Sequence, residues 1–159
     1  MNLDKFDIAI LEALQKDARL SLQELGKQVG LTASPCWSRV KRMEEAGVIE
    51  GYSVRVNPEK VGLAEAVILH VTLDSHSDEA LFEFGRALEA IPEVMEAFLV
   101  SGDYDYYIRV AVDGTRGYER FLREQLYKIP GIRNSKSSFV LRRLKQSQIP
   151  LRRSEQAED

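Results

Sequence analysis

The 159 residues suffice for one average domain or two small ones, and a 44% hydrophobic content excludes a disordered chain. No run of about 18 apolar residues exists, and Met1-Asn2-Leu3-Asp4-Lys5 is not a signal peptide, so a cytoplasmic protein without membrane contact is expected. One cysteine excludes an internal disulfide, and two histidines without a cysteine pair argue against zinc, so neither metal nor cofactor is expected.

The net charge of -3 conceals a pattern. Residues 1–57 balance eight Lys/Arg against eight Asp/Glu, residues 58–132 hold seven against fourteen, and residues 133–153 carry seven bases and no acid. A polyanion binder needs local rather than global positive charge, so nucleic acid remains a possible partner.

A first helix is expected from Asp4 to about Asp17, with Phe6, Ile8, Leu11 and Leu14 apolar. Ser21-Leu22-Gln23-Glu24 fits a capping box and starts a second helix at Leu22 with Leu22, Leu25 and Val29 on its stripe; Gly30 ends it. Thr32 or Ser34 can cap a third helix, where Pro35 is tolerated because first-turn N–H groups have no helical partner, and which runs to Ala46. On this third helix Cys36, Val40 and Met43 share an inner face. Ser34, Trp37, Ser38, Lys41 and Arg42 are left outside, with Arg39 near the edge. Lys and Arg neutralise phosphates or donate to guanine edges, while Ser and Trp supply hydroxyl and apolar contacts in a major groove. Three short helices with a basic third face describe a helix-turn-helix, although a basic helix face taken alone is commonly just solvated. Cys36 reads as a small buried hydrophobe.

After Gly47, the alternation of Tyr52, Val54 and Val56 with Ser53 and Arg55 around Gly51 predicts a hairpin wing, with Arg55 as a further phosphate contact. Pro58 breaks that strand, and 58–63 reads as a linker with a possible helical turn. Beyond it come a strand at 64–73, a helix capped by Ser77 with Leu81, Phe84, Leu88 and Ile91 inward, and strands at 94–100 and 104–112. A helix from Thr115 to Pro130-Gly131 and a last strand at 137–144 complete β-α-β-β-α-β, the split order of a ferredoxin-like domain. Strand 64–73 is apolar on both sides, so a second copy is expected to cover the face opposite the helices, with His70 as a satisfied interface histidine. The few bases on the reading head also call for at least a dimer.

The segment from Val100 to Tyr107 concentrates Asp103, Asp105 and three tyrosines around Gly102. Alternation would send both carboxylates to one side near turn N–H groups, a constellation able to hold an amino acid zwitterion, although tyrosines in strands and acidic turns are also ordinary.

The opening Leu3-Asp4-Lys5-Phe6-Asp7-Ile8, the run Leu31-Thr32-Ala33-Ser34-Pro35-Cys36, Arg39 to Ile49, Gly102-Asp103-Tyr104-Asp105-Tyr106, the Pro-Gly exit after Leu126, and Ser137 to Leu141 stand in the order found in the Lrp/AsnC family of transcription regulators. Residues 3–150 resemble that family throughout. The resemblance implies an α+β protein with a winged helix-turn-helix (1–57), a linker (58–63), a ferredoxin-like effector and oligomerisation domain (64–150) and a C-terminal tail (151–159). It further implies double-stranded promoter DNA as partner, a homodimer that assembles further, commonly to an octamer, and an amino acid or related effector held between dimers. Matching positions put Phe98, Val100, Gly102, Asp103, Tyr104 and Asp105 in the cleft, joined by Ser135, Ser137, Ser138 and Phe139 from the last strand. Trp37-Ser38 falls in a variable part of the recognition helix, so no operator sequence transfers. Pro35-Cys36-Trp37 with Ser137-Ser138-Phe139 resembles a branch of pathway-specific regulators. The family's fold also occurs in sirohaem decarboxylases, for which His70 and His76 are the available histidines, and a sensor acting through a protein partner is the third alternative. Retention of Lys41, Arg42 and Arg55 counts against that third alternative, and a regulator without enzyme activity is expected.

Overall fold

The computed structural model describes residues 1–151, so of the tail expected over 151–159 only Leu151 falls within the described part. The chain forms two compact units, residues 1–54 with 145–151, and residues 55–144. The division falls between Val54 and Arg55, three residues before the expected one, and 145–151 belongs with the first unit rather than the second. No helix among the described residues is long and apolar enough to cross a membrane.

The first unit holds α1 (Lys5–Lys16), α2 (Leu22–Val29) and α3 (Ala33–Glu45). Each start has a local cause. Asp4 and Asp7 form a reciprocal capping box at α1, and Ser21 and Glu24 form the expected one at α2. At α3 Thr32 occupies the cap position without a side-chain cap bond, and Ser34 lies inside the helix, leaving Pro35 in the first turn where its missing N–H costs little. Gly30 ends α2 in the left-handed conformation, at φ 73°. Ile10, Leu11, Ala13, Leu25, Cys36 and Met43 form the buried core, with Leu14, Val29, Val40 and Leu151 packed against it. Leu22, expected on the inner stripe, is exposed at the first turn. Residues 148 and 149 meet α1: Gln15 Nε2 donates to the Ile149 carbonyl at 3.2 Å and Gln148 Nε2 to the Gln15 carbonyl at 2.8 Å.

The expected hairpin wing is absent among the described residues. Val48 and Ile49 turn back so that both N–H groups reach the Met43 carbonyl, at 2.9 and 3.1 Å, and 50–57 then runs on without forming a ladder. Val54 is 86% exposed. Alternation describes an extended chain, but a ladder needs a second strand, and an isolated two-stranded ribbon is marginal in water. Tyr52 instead bonds Glu44 Oε1 at 2.8 Å, and burial followed by that carboxylate pushes its hydroxyl up to about 12.

The second unit follows the expected β-α-β-β-α-β order: β1 (Glu65–Leu73), α4 (Asp78–Glu89), β2 (Val94–Leu99), β3 (Tyr106–Val112), α5 (Thr115–Glu124) and β4 (Ile132–Phe139). The antiparallel sheet runs β2-β3-β1-β4, the ferredoxin-like order. Val67, Leu69, Val71, Leu73, Ile108 and Val110 meet Phe84, Leu88, Tyr118 and Phe121 in the core. The last strand starts five residues before the expected 137 and ends at Phe139 instead of Leu144. Its Arg133-Asn134-Ser135-Lys136 has no apolar alternation, and its strand character comes from pairing with β1, Leu69 opposite Ser137 and Val71 opposite Ser135.

Candidate functional site

On α3 the outer face presents Ser34, Ser38 and Lys41 to solvent with Trp37, which is 51% exposed. Lys41 Nζ stands 5.1 Å over the Trp37 ring and 3.7 Å from Glu45, a surface pair that leaves its ammonium available. Cys36 is buried beneath, and burial pushes its thiol up, as a small hydrophobe requires.

Arg39 and Arg42 lie on the flank that faces α1. Arg39 Nη1 donates to Asp4 Oδ2 at 2.7 Å and Asp7 Oδ1 at 2.8 Å, and Arg42 Nη2 grips both Asp7 oxygens at 2.8 and 3.0 Å. Asp7 is completely buried and also accepts the Asp4 N–H at 3.0 Å. Burial pushes the Asp4 carboxyl up, but the Asp7 N–H, the Arg39 guanidinium and the Phe6 N–H outweigh it and hold the group below its ordinary range. Arg39 is therefore committed to holding α1 against α3, a role the sequence reading did not assign. Asp7 stands in the sequence reading only as part of the opening Leu3 to Ile8. The available signal was its place on the stripe of Leu11 and Leu14, where a carboxylate is buried only with a partner. Arg55 lies in the second unit as the first of its residues.

The expected effector residues separate in one chain. Phe98 lies on the β2 edge and the connection from Val100 leads inward to Asp105 beside β1, whereas Ser135 to Phe139 lie on β4 at the other edge. Three strand spacings, roughly 14 Å, separate those edges. The faces differ as well. Phe98 pairs with Tyr107 and Ser138 with Ile68, on the side away from the helices. Ser135, Ser137 and Phe139 pair with the core residues Val71, Leu69 and Val67. On that helix side the Ser137 hydroxyl bonds the Tyr118 hydroxyl, Ser135 Oγ stands 3.3 Å from the Tyr127 hydroxyl, and Phe139 meets Tyr118 edge-on at 5.3 Å.

Asp103 and Asp105 do not share a strand side, because 100–105 is a connection and not a strand. Gly102 takes φ 135°, Asp103 is exposed, and the Asp105 main chain binds back to Val71 and Val100, both at 2.9 Å. The Asp105 carboxylate accepts the Leu73 N–H at 2.7 Å and meets His76 Nε2 at 3.0 Å. His76, missed as a partner, sits 29 residues away in sequence. On the open face His70 lies 4.8 Å from the rings of both Tyr104 and Tyr107, and its buried Nδ1 has no hydrogen-bond partner, so the expected satisfied histidine is not satisfied within one chain.

Comparison with known proteins agrees with both halves. The family described as Lrp/AsnC ligand binding domain matches residues 66–150, and Winged helix-turn-helix DNA-binding matches residues 3–50. The leucine-responsive regulatory protein of Escherichia coli is 37% identical over 146 residues, 92% of this chain and 89% of that protein. An AsnC family transcriptional regulator from Agrobacterium tumefaciens superposes with a TM-score of 0.89 at 37% identity, covering 93% of this chain and 97% of its own. A transcriptional regulator from Neisseria meningitidis, solved as a complex with L-Met, gives 0.88 at 32% identity, covering 94% and 97%. With an exposed basic helix in a three-helix unit, a four-stranded α+β unit following it in the chain, and relatives matching over nearly their full length, the chain belongs to the Lrp/AsnC family of transcription regulators.

Proposed function

We propose that this chain binds promoter DNA through α3 and changes that binding when an amino acid or related small molecule occupies its second unit. The observation that carries the DNA part is the solvent-facing set Ser34, Trp37, Ser38 and Lys41 on the third helix of a helix-turn-helix, flanked by Arg42. Lys41 and Arg42 supply phosphate or guanine contacts, the serines and Trp37 contact base edges and methyl groups, and Arg39 acts as a fastening. Arg55 adds a phosphate contact. The protein works in the cytoplasm as a homodimer or a larger assembly.

The effector reading draws support from the separation of Phe98 to Asp105 from Ser135 to Phe139. Residues on opposite edges of a sheet enclose one small ligand only when a second copy brings its β4 edge to the first copy's 100–105 connection. Exposed Asp103 and the Gly102 backbone meet the ligand's charged groups, with Phe98, Val100 and Tyr104 along its side chain, while Asp105 holds the connection in place. The relatives named for leucine and solved with L-Met favour an amino acid. The effector regulates by binding one arrangement of copies more tightly than another.

Fluorescence anisotropy of labelled DNA from upstream of this protein's own coding sequence, titrated at two salt concentrations with a panel of amino acids, tests both parts. Salt-sensitive binding altered by one amino acid supports the reading, and Lys41→Ala then weakens binding while leaving the oligomer intact. Wild-type affinity in Lys41→Ala removes the docking arrangement, and absence of any DNA binding removes the regulator reading.

A further inference from the structure

The four charged groups at the α1–α3 junction do not contribute equally. Arg39 is only 24% exposed and its bonds to Asp4 and Asp7 tie down one guanidinium nitrogen, with Phe6 under the group at 5.4 Å. The Arg42 side chain is 53% exposed, and its ion pair runs from Nη2 to the buried Asp7. A guanidinium has five donors in a rigid fork, so one gripped at Nη2 keeps its Nε and Nη1 donors uncommitted to Asp7. Asp7 is the only member with no exposure at all, and both its oxygens are occupied from three sides.

We infer that Asp7 is a positioning residue for DNA docking: it holds the Arg42 guanidinium on the flank of α3 with its remaining donors facing a phosphate, while Arg39 fixes Asp7 in turn. This rests on the reading that α3 docks on DNA. A flexible arginine loses rotamer freedom when a phosphate captures it, and one held in advance has already lost it. The same four groups could instead be a mask, the two carboxylates cancelling the two guanidinia. The burial decides against a mask. An approaching phosphate meets Arg42 first, with the Asp7 charge behind it, and the two acceptors use different edges of one fork.

The test is a double-mutant cycle read by DNA anisotropy between 50 and 200 mM salt, with Asp7→Asn, Arg42→Ala and the double variant, and with Lys41→Ala beside them. Asparagine keeps an acceptor of nearly the same shape and loses the charge-assisted grip. Positioning predicts that Asp7→Asn weakens binding and flattens the salt dependence by the share of one phosphate contact, about 3.5-fold over that range for each reading head. It also predicts no further loss in the Arg42→Ala background. Affinity that rises or stays unchanged in Asp7→Asn overturns the inference in favour of a mask or a bystander, and an equal loss in both backgrounds shows a purely structural role and overturns it as well. Should Asp7→Asn fail to fold, Arg42→Lys carries the test, because an ammonium keeps the charge without the fork: a loss close to that of Arg42→Ala supports positioning, and wild-type affinity refutes it. Lys41→Ala separates the layers, since wild-type affinity there removes the docking reading itself, whatever Asp7 does.

Discussion

Gly26 sets helix propensity against packing, and the two predict opposite signs for Gly26→Ala. Propensity alone favours alanine by about 1 kcal/mol inside a helix. A Cβ on Gly26, however, would stand 2.6 Å from the Leu31 carbonyl oxygen and 3.3 Å from the Thr32 carbonyl carbon. The obstacle is main chain, held from both sides: the Leu31 N–H donates to the Gly26 carbonyl at 2.9 Å and the Cys36 N–H to the Thr32 carbonyl at 3.3 Å. Reaching ordinary contact means moving the turn between α2 and α3 by about 0.8 Å, an overpacking that costs roughly 1–3 kcal/mol. The net is a loss of up to about 2 kcal/mol, or as much as roughly 8–16 °C in the melting temperature of so small a unit. Trp37 is the single tryptophan and sits on α3, so its emission during a thermal scan reports the reading head. Gly51→Ala is the control, with nothing within 4 Å of the new methyl and no positive φ, and it leaves the midpoint unchanged or raises it slightly. A Gly26→Ala midpoint at or above wild type would refute the claim that this close approach holds the turn. Because the displaced backbone carries α3, DNA affinity falls further than the loss of stability alone accounts for.

Two further outcomes follow from the geometry of the carboxylates. Asp105→Ala strands the part-buried Leu73 N–H, costing the second unit about 1–3 kcal/mol in denaturant unfolding, and it abolishes the effector response; Asp103→Ala, at an exposed position, leaves that stability unchanged, and equal losses in the two variants would contradict the bracing role of Asp105. Acid weakens the reading head, because Asp4 is held below its ordinary range and Glu24 is lowered by the Ser21 hydroxyl and N–H; a depressed carboxyl stabilises above its unfolded value and loses that contribution as pH falls through the folded one. The Trp37 melting midpoint therefore drops as the pH falls below about 4, and Asp4→Asn with Glu24→Gln flattens that dependence.

Local chemistry made much of this protein legible before any coordinates. The box of Ser21 and Glu24, the glycine after Val29 and the inward face of Cys36, Val40 and Met43 depend on spacings of a few residues, and the helix-turn-helix follows from them. The β-α-β-β-α-β order was readable for the same reason, since β1, α4, β3 and α5 carry their own apolar periodicity. What failed was non-local. The polar stretch from Arg133 to Lys136 is a strand only because β1 pairs with it, and alternation from Tyr52 to Val56 makes no wing because no second strand among the described residues meets it. Asp7 with Arg42 joins residues 35 apart, and Asp105 with Leu73 joins residues 32 apart. Composition on one segment does not encode which distant charge will be buried beside it. The sequence by itself determined most of the elements, the reading helix and the family. The tertiary structure alone decided that two arginines of the basic face are gripped by a buried carboxylate and that the expected effector residues stand on opposite edges of one sheet, because strand order and helix packing bring together groups far apart in the chain.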